Sequence, residues 1–241
     1  MEPGPAIATD PSDGPDRPPL PARQRWRLVL SRGADAAALV GRELADAFEG
    51  GLEASGLPLA RAAGRARTRV AFGAPLPAAI AGERELADIL LTELVPVSFV
   101  RSRISAVLPD GWLLVELFDV WLGAPPLAGQ VAAADYRIVL HTSDVTALAI
   151  ACDGLLAART IPRERAKGTT VVAYDLRPLL DDLRVIDAGP PTLVRARTRF
   201  DPVRGTGRPE EVVAALADRC VAPVEAVAIV RERLILADEL G

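Results

Sequence analysis

The chain has 241 residues, half of them apolar and a quarter charged, and its formal net charge is −4. That length suits two domains of ordinary size, and the net charge excludes a protein whose whole surface attracts polyanions. No apolar run approaches the roughly 20 residues that span a bilayer, and the first residues lack the pattern of a signal peptide, so we expect a soluble, cytoplasmic protein without membrane contact.

The N-terminal segment, residues 1–22, holds seven prolines and shows no apolar periodicity. Such a segment has nothing to repay the entropy of ordering it. We predict a disordered, acidic tail.

The first predicted domain covers residues 23–122. Alternating apolar residues predict a strand from residue 24, and helical spacing predicts a helix from about Asp35 that ends before Gly56 and Pro58. The order strand, helix, strand, strand, helix, strand is that of the ferredoxin-like fold. The remaining predicted elements are strands at 67–73 and 86–91, a helix at 98–108 and a strand at 112–120.

A linker at residues 123–134, which includes Pro125 and Pro126, separates this domain from a second one at residues 135–241. The second half repeats the pattern with an insertion after its third strand. The fold class is therefore α+β, with two tandem ferredoxin-like domains built on antiparallel sheets. The elements predicted here are strands at 136–140, 160–165, 170–174, 192–200 and 226–236, helices from Ser143 or Asp144 to 158 and at 208–217, and a helical turn at 178–183.

The two cysteines, Cys152 and Cys220, are far apart and lack the C-x-x-C spacing of zinc or iron–sulfur sites. We interpret them as buried structural thiols and predict no metal bound by this chain.

One arginine-rich pentapeptide occurs in each half of the chain. On a strand, residues two apart face the same way, so each copy places three guanidinium groups on one face of a sheet. Guanidinium groups bind phosphates and stack on bases, which predicts an RNA-binding surface; pairing with carboxylates on adjacent strands is the alternative. The arginines are Arg65, Arg67 and Arg69 in the first half and Arg195, Arg197 and Arg199 in the second.

The segment around Lys167, the single lysine of the chain, is the candidate for a substrate-binding site. Residues 159–208 contain eleven basic and six acidic side chains, a local excess that attracts anions. We predict that Lys167, Asp175, Arg177 and Arg208 bind substrate, and Asp175 is the candidate catalytic base. Asp175 equally suits the N-cap of a helical turn, with Arg177 in a salt bridge.

Ten short stretches follow one another in a characteristic order and spacing. They are Ala47-Phe48, residues 56–59, residues 70–72, Pro75-Leu76-Pro77, residues 85–93, residues 133–136, Lys167-Gly168, residues 175–178, residues 208–212 and residues 229–231. Together they resemble the bacterial radical SAM-associated (radical SAM-linked) proteins over about residues 24–236.

That resemblance implies an accessory role beside a radical SAM protein, which would hold the iron–sulfur cluster and SAM as the partner of this chain. Two stretches depart from the family pattern: Val40-Gly41-Arg42-Glu43 replaces a Ser-His-x-Asp-like stretch, and residues 64–69 replace an Asn-Pro-x-Pro-Lys loop. Three functions stay open: a non-catalytic accessory protein that binds RNA or another phosphorylated substrate, an RNA-modifying or RNA-processing enzyme that uses Asp175, and a protein-interaction module.

Overall fold

The computed structural model describes residues 20–36, 39–61, 68–167 and 170–240, and the side chains of all these except residues 165–167 and 170. Most of the predicted disordered tail, the Arg65 and Arg67 positions and the Lys167 side chain lie outside the described part. None of the helices in these ranges is long and apolar enough to cross a membrane.

The described chain forms four α-helices and eleven strands. The helices are α1 (Gly41–Ala54), α2 (Val97–Ser105), α3 (Val145–Ala157) and α4 (Pro209–Ala217). The strands are β1 (Gln24–Arg32), β2 (Ala71–Phe72), β3 (Ala81–Leu91), β4 (Trp112–Val120), β5 (Val131–His141), β6 (Pro162–Lys167), β7 (Thr170–Asp175), β8 (Leu180–Asp187), β9 (Thr192–Asp201), β10 (Gly205–Thr206) and β11 (Glu225–Leu236).

Nine of these strands form one large, mostly antiparallel sheet. Its order is β10-β9-β5-β11-β3-β1-β4, with β2 also paired to β3 and β8 also paired to β9. The pairing of β11 with β3 is parallel, and the two residue pairs Val230–Ala81 and Arg231–Gly82 carry it. The strand order is thus β4-β1-β3-β2 in the first half and β11-β5-β9-β8 in the second, and the β11–β3 contact joins the halves.

Several predicted boundaries were wrong. The α1 helix begins at Gly41 rather than at about Asp35. β2 has only two residues, and β3 begins at Ala81 rather than at residue 86. Within the predicted linker, Leu127–Gly129 form a 3₁₀ helix and β5 already begins at Val131. Tertiary pairing sets these ends, because Val131 continues the ladder opposite Leu236.

The largest difference concerns the second half. The predicted strands at 160–165 and 170–174 form β6 and β7, a separate two-stranded sheet, and the strand that completes the main sheet is β8. β8 carries Asp181, Asp182, Arg184 and Asp187. Because half of its residues are charged, the alternation of apolar residues that identifies a strand from sequence is lost.

All four helices cover the same face of the large sheet. One apolar core lies under α1 and α2 around Leu28, Leu30 and Phe48, and a second lies under α3 and α4 around Ile138 and Leu155. The cysteines belong to the second core, where Cys152 is buried and Cys220 half-buried. Burial raises the pKa of the Cys152 thiol to about 12. The opposite face of the sheet, here called the helix-free face, has no α-helix from the described residues.

A buried ion pair lies where the halves meet. Arg231 on β11 is only 1% exposed, and its Nε donates to Glu85 Oε1 on β3 at 2.8 Å while its Nη2 donates to Oε2. The same guanidinium group donates to the carbonyl oxygens of Pro75 and Ala74. Burial lowers the pKa of Arg231, but Glu85 and Tyr136 raise it more, so Arg231 keeps its charge.

We predict that Gly82→Ala destabilises the protein through this pair. A Cβ atom at Gly82 would lie 2.7 Å from Glu85 Oε1, so the carboxylate must move away from Arg231. Disrupting a buried ion pair costs about 3–5 kcal/mol, and we expect a loss in the free energy of unfolding of about 2 kcal/mol or more in urea titrations.

The matched control is Gly50→Ala. Gly50 lies exposed in α1, and a Cβ atom there meets no atom within 4 Å. Alanine should therefore stabilise the helix by about 0.5–1 kcal/mol. Equal effects of the two substitutions would contradict the role given to the Arg231–Glu85 pair.

Candidate ligand-binding cleft between the halves

The predicted arginine row on β9 lies on the helix-free face of the sheet, and each of its side chains contacts a carboxylate. Arg195 Nε lies 3.1 Å from Glu232 Oε2, Arg197 Nε lies 2.7 Å from Asp135 Oδ1, and Arg199 Nε lies 2.6 Å from Asp181 Oδ1. This is the paired arrangement that the sequence left as an alternative. A phosphate would have to displace a carboxylate from each side chain; RNA binding by this row stays a prediction.

These pairs continue across the sheet as a network. Glu232 on β11 also accepts from Arg137 on β5, which pairs in turn with Glu83. Asp135 on β5 accepts from Arg197 on one side and from Arg233 on the other. Burial raises the pKa of Asp135, but hydrogen bonds from the two guanidinium groups outweigh burial and hold that pKa below its usual value.

The arginine row of the first half is only partly described. Arg69 is exposed, has no ion pair in the described part of the chain, and lines a cleft of about 530 Å³ on the helix-free face. Arg25 and Asp88 form the charged floor of that cleft, where Arg25 Nη2 donates to Asp88 Oδ2 at 2.6 Å.

The side chains of Asp175 and Arg177 form hydrogen bonds with nearby backbone groups. Asp175 Oδ1 accepts from the backbone N–H groups of Ile161, at 2.7 Å, and Arg177, at 3.0 Å. Arg177 donates to the carbonyl oxygens of Leu156, in the last turn of α3, and Leu180. Neither side chain lines the cleft that contains Arg208, so the four predicted substrate-binding residues do not meet in one cleft.

Arg208 lies at the mouth of a second cleft, which we call the junction cleft. It has a volume of about 320 Å³ and lies on the helix side of the sheet, where the two halves meet. Its lining residues are Pro75, Pro77, Tyr136, Phe200, Thr206, Gly207, Arg208, Pro209, Glu210 and Arg231. Arg208 is the N-cap of α4, is exposed, and has no side-chain hydrogen bond or ion pair with another described residue.

The walls of the junction cleft have fixed positions. The loop before α4 is held close to the sheet, because the Thr198 hydroxyl donates to the Gly207 carbonyl at 2.8 Å and the Gly207 N–H donates to the Arg199 carbonyl at 2.9 Å. A side chain at Gly207 would clash with the Leu179 carbonyl, 2.6 Å away. Glycine is therefore required for this close approach.

Beneath the junction cleft, two buried guanidinium groups lie near one carboxylate. Arg32 is 3% exposed and donates through Nη2 to the carbonyl oxygens of Pro77, Ala78 and Ile80, while its Nη1 has no hydrogen-bond partner in the described part of the chain. The guanidinium carbon lies 5.8 Å from the centroid of the Trp112 ring. Burial lowers the pKa of Arg32, whereas the Glu85 charge raises it and Arg231 lowers it. The cluster of Arg32, Arg231 and Glu85 thus holds one uncompensated positive charge.

Sequence reasoning missed Arg32, Glu85, Tyr136 and Arg231 as parts of one site. The available signal was a charged residue at the end of an apolar run, as in Ile229-Val230-Arg231. A charge that interrupts a buried strand needs a buried partner, but its partner is 146 positions away and only the fold shows it. Among the described residues, no three His, Cys, Asp or Glu side chains are grouped as metal ligands are.

The chain belongs to a family of uncharacterised proteins conserved in bacteria (DUF2344), whose model matches residues 25–209. No curated protein matches the chain. Among solved structures, a chain in the crystal structure of a Cbf5-Nop10-Gar1 complex is similar over 94% of this chain, with 10% sequence identity and a TM-score of 0.46. This chain spans 55% of the length of that one.

The pairing of Asp135 gives a pH prediction. A carboxylate whose pKa is lowered in the fold contributes stability above its unfolded pKa, near 4, and loses that contribution as the pH falls through the lowered value. The free energy of unfolding of the wild type should exceed that of Asp135→Asn by about 1–3 kcal/mol at pH 7. This difference should shrink below about pH 4. Urea unfolding at a series of pH values measures it.

The control for that measurement is Asp182→Asn. Asp182 contacts Arg184 at 3.4 Å, with side chains that are 32% and 58% exposed, and a solvent-accessible pair of this kind contributes less than about 1 kcal/mol. If the Asp135 difference widened in acid, the assignment of its charge state would be wrong.

Proposed function

We propose that this protein is a non-catalytic accessory protein that binds a phosphorylated ligand in the junction cleft and works with a radical SAM enzyme. One observation carries the binding proposal: Arg208, which has no ion pair among the described residues, lines the same cleft as Arg231, a member of a buried cluster with an excess positive charge. The radical SAM partner, which would supply the cluster and SAM, rests on the family resemblance of the sequence.

The charges around the junction cleft favour an anion. Arg32, Arg208 and Arg231 outnumber Glu85 and Glu210 by one. A buried charge without full compensation is unfavourable, and an anion in the cleft supplies the missing compensation. The N-terminus of α4 adds the positive end of a helix dipole, to which phosphates bind readily.

The other arginines support a phosphate in the cleft more than a nucleic-acid strand along the sheet. On the β5 and β9 part of the helix-free face, Arg137, Arg195, Arg197 and Arg199 are each paired. The cost of separating these pairs offsets the gain from binding phosphates. An RNA ligand would therefore be recognised by a terminal phosphate, and a smaller phosphorylated substrate by the same group.

The strand orders support the interpretation of each half as a ferredoxin-like unit, because each half follows the βαββαβ pattern with its fourth strand beside its first.

The geometry does not support an RNA-processing enzyme based on Asp175. One oxygen of that carboxylate already accepts two backbone N–H groups, and the residue lines neither cleft described above.

The test is binding of a short 5′-phosphorylated oligoribonucleotide and of its dephosphorylated form. We expect the phosphorylated form to bind at least about tenfold more tightly, with an affinity that falls as salt rises. Arg208→Gln should remove most of that preference, because bidentate contact between arginine and phosphate is lost. Fluorescence anisotropy over a salt series measures both effects.

The matched control is Arg159→Gln. Arg159 is also exposed and also has no side-chain hydrogen bond or ion pair in the described part of the chain, but it does not line the junction cleft. The Arg159→Gln substitution removes the same formal charge as Arg208→Gln. Equal weakening by both substitutions, or equal binding of both oligonucleotides, would overturn the assignment of a phosphate to the cleft.

A further inference from the structure

The β4 edge of the large sheet has no neighbouring strand in the described part of the chain. β4 is the last strand in the sheet order, and in the described part of the chain it pairs only with β1. Its other edge therefore presents backbone N–H and C=O groups to solvent. Seven of its nine residues are apolar. A long apolar edge strand is a template for pairing with another strand.

Exposed apolar side chains are concentrated at this edge. Leu113 is 68% exposed, Phe118 is 46% exposed, and Trp121, directly after the strand, is 78% exposed. The helix that packs beside β4, α2, exposes Val97 and Phe99. Patches of this kind on a soluble protein mark contacts with other molecules.

The opposite edge of the sheet differs. There β8 carries four charged residues among eight, and Arg184 pairs with Asp182 while Asp181 pairs with Arg199. Charges of this kind prevent pairing with a second chain. The β4 edge is thus apolar and the β8 edge charged, which indicates that another chain covers the β4 edge in the functional protein.

We propose that β4 pairs with β4 of a second copy of this chain, so that two nine-stranded sheets become one. A two-fold axis brings the same strand alongside itself in antiparallel orientation. The edge carries both signs of charge: Glu116 on β4 pairs with Arg84 of its own chain at 2.7 Å, and Asp119 on β4 lies on the same edge as Arg101 and Arg103 on α2. A surface with both signs is complementary to itself under a two-fold rotation, because acidic groups of one copy can meet basic groups of the other.

The irregularity within β4 fixes the register. The pairing with β1 shifts between Val29 and Leu30, so that Val115 is an extra residue. Leu114 and Leu117, opposite Leu30 and Leu28, face the helices. A two-fold axis between residues 115 and 116 then places Leu114 opposite Leu117 of the second copy.

The same axis places Leu113 opposite Phe118 of the second copy on the helix-free face, where Leu113 lies beside Ser31 and Phe118 beside Arg27. Like side chains thus meet on both faces. This register gives Leu113, Leu114, Leu117 and Phe118 apolar neighbours, whereas Val115 lies opposite Glu116 of the second copy.

The first experiment is sedimentation equilibrium of the full chain. The wild type should have twice the 25.5 kDa mass of one chain. The double variant Leu113→Lys with Phe118→Lys should be monomeric, with dimerisation weakened about 100-fold or more, because lysines repel across the pair and block the edge. Both positions are exposed in the single chain, so the variant should keep the circular dichroism spectrum and melting temperature of the wild type.

Ile186→Lys is the control, since Ile186 is exposed on the other edge strand, β8, and its replacement should leave the dimer unchanged. A monomeric wild type at about 100 μM, far above the Kd of a typical specific dimer, would overturn the proposal. So would a Leu113→Lys, Phe118→Lys variant that stays dimeric.

A cross-link tests the register. Two cysteines at positions 113 and 118 of one strand lie about 16 Å apart, beyond the reach of a disulfide, whose Cα atoms are about 4–7 Å apart. The double variant Leu113→Cys with Phe118→Cys should therefore form a covalent dimer on oxidation. Each single variant, and the wild type with Cys152 and Cys220, should not. A cross-link in the single variants instead would contradict this register.

Discussion

The ion pair between Arg231 and Glu85 is the interaction on which the architecture depends. It joins β11 to β3 at the parallel contact of the large sheet, where only two residue pairs are in register. Parallel pairing of two residues contributes little by itself, whereas breaking a buried, hydrogen-bonded ion pair costs about 3–5 kcal/mol. Arg231 also donates to the Pro75 carbonyl oxygen, which holds that loop in place, and it lines the junction cleft. One contact therefore connects the halves and shapes the space between them.

Arginine has three different roles in this chain, which has 28 basic residues and a single lysine. Arg231 and Arg32 are buried and keep their charge, because the guanidinium group holds its proton in an environment where lysine would lose it. Arg195, Arg197 and Arg199 are half-exposed and bind carboxylates across neighbouring strands. Arg208 is exposed and has no ion pair with any residue that the structure describes. Only the third role leaves a guanidinium group free for a ligand, so the number of arginines overstates the capacity of the surface to bind anions.

The junction cleft and the β4 edge are compatible within one molecule. The cleft lies between the Pro75 loop, β11 and the start of α4, near the middle of the sheet, whereas β4 is at its end. Pairing through β4 would leave both copies of the cleft accessible. The charged pairs on the helix-free face would continue from one copy to the next, since Arg84 on β3 already contacts Glu116 on β4.

Local patterns in the sequence determined much of the secondary structure: the apolar alternation of β1 and β9, the helical spacing of α1, and the proline at the start of α4 each act within a few residues. They did not predict β8, whose charged side chains hide its strand pattern; Asp181 pairs with Arg199 on β9, and Asp182 pairs with Arg184 within β8. Local patterns also did not distinguish Asp175 from Arg208, because both are charged residues beside a turn. Asp175 binds backbone N–H groups, whereas Arg208 has no ion pair among the described residues. The sequence by itself therefore determined the elements and the excess of arginine. Only the tertiary structure decided which charges are paired, because the partners of Arg231, Arg197 and Arg195 come from strands remote in sequence that meet only in the folded sheet.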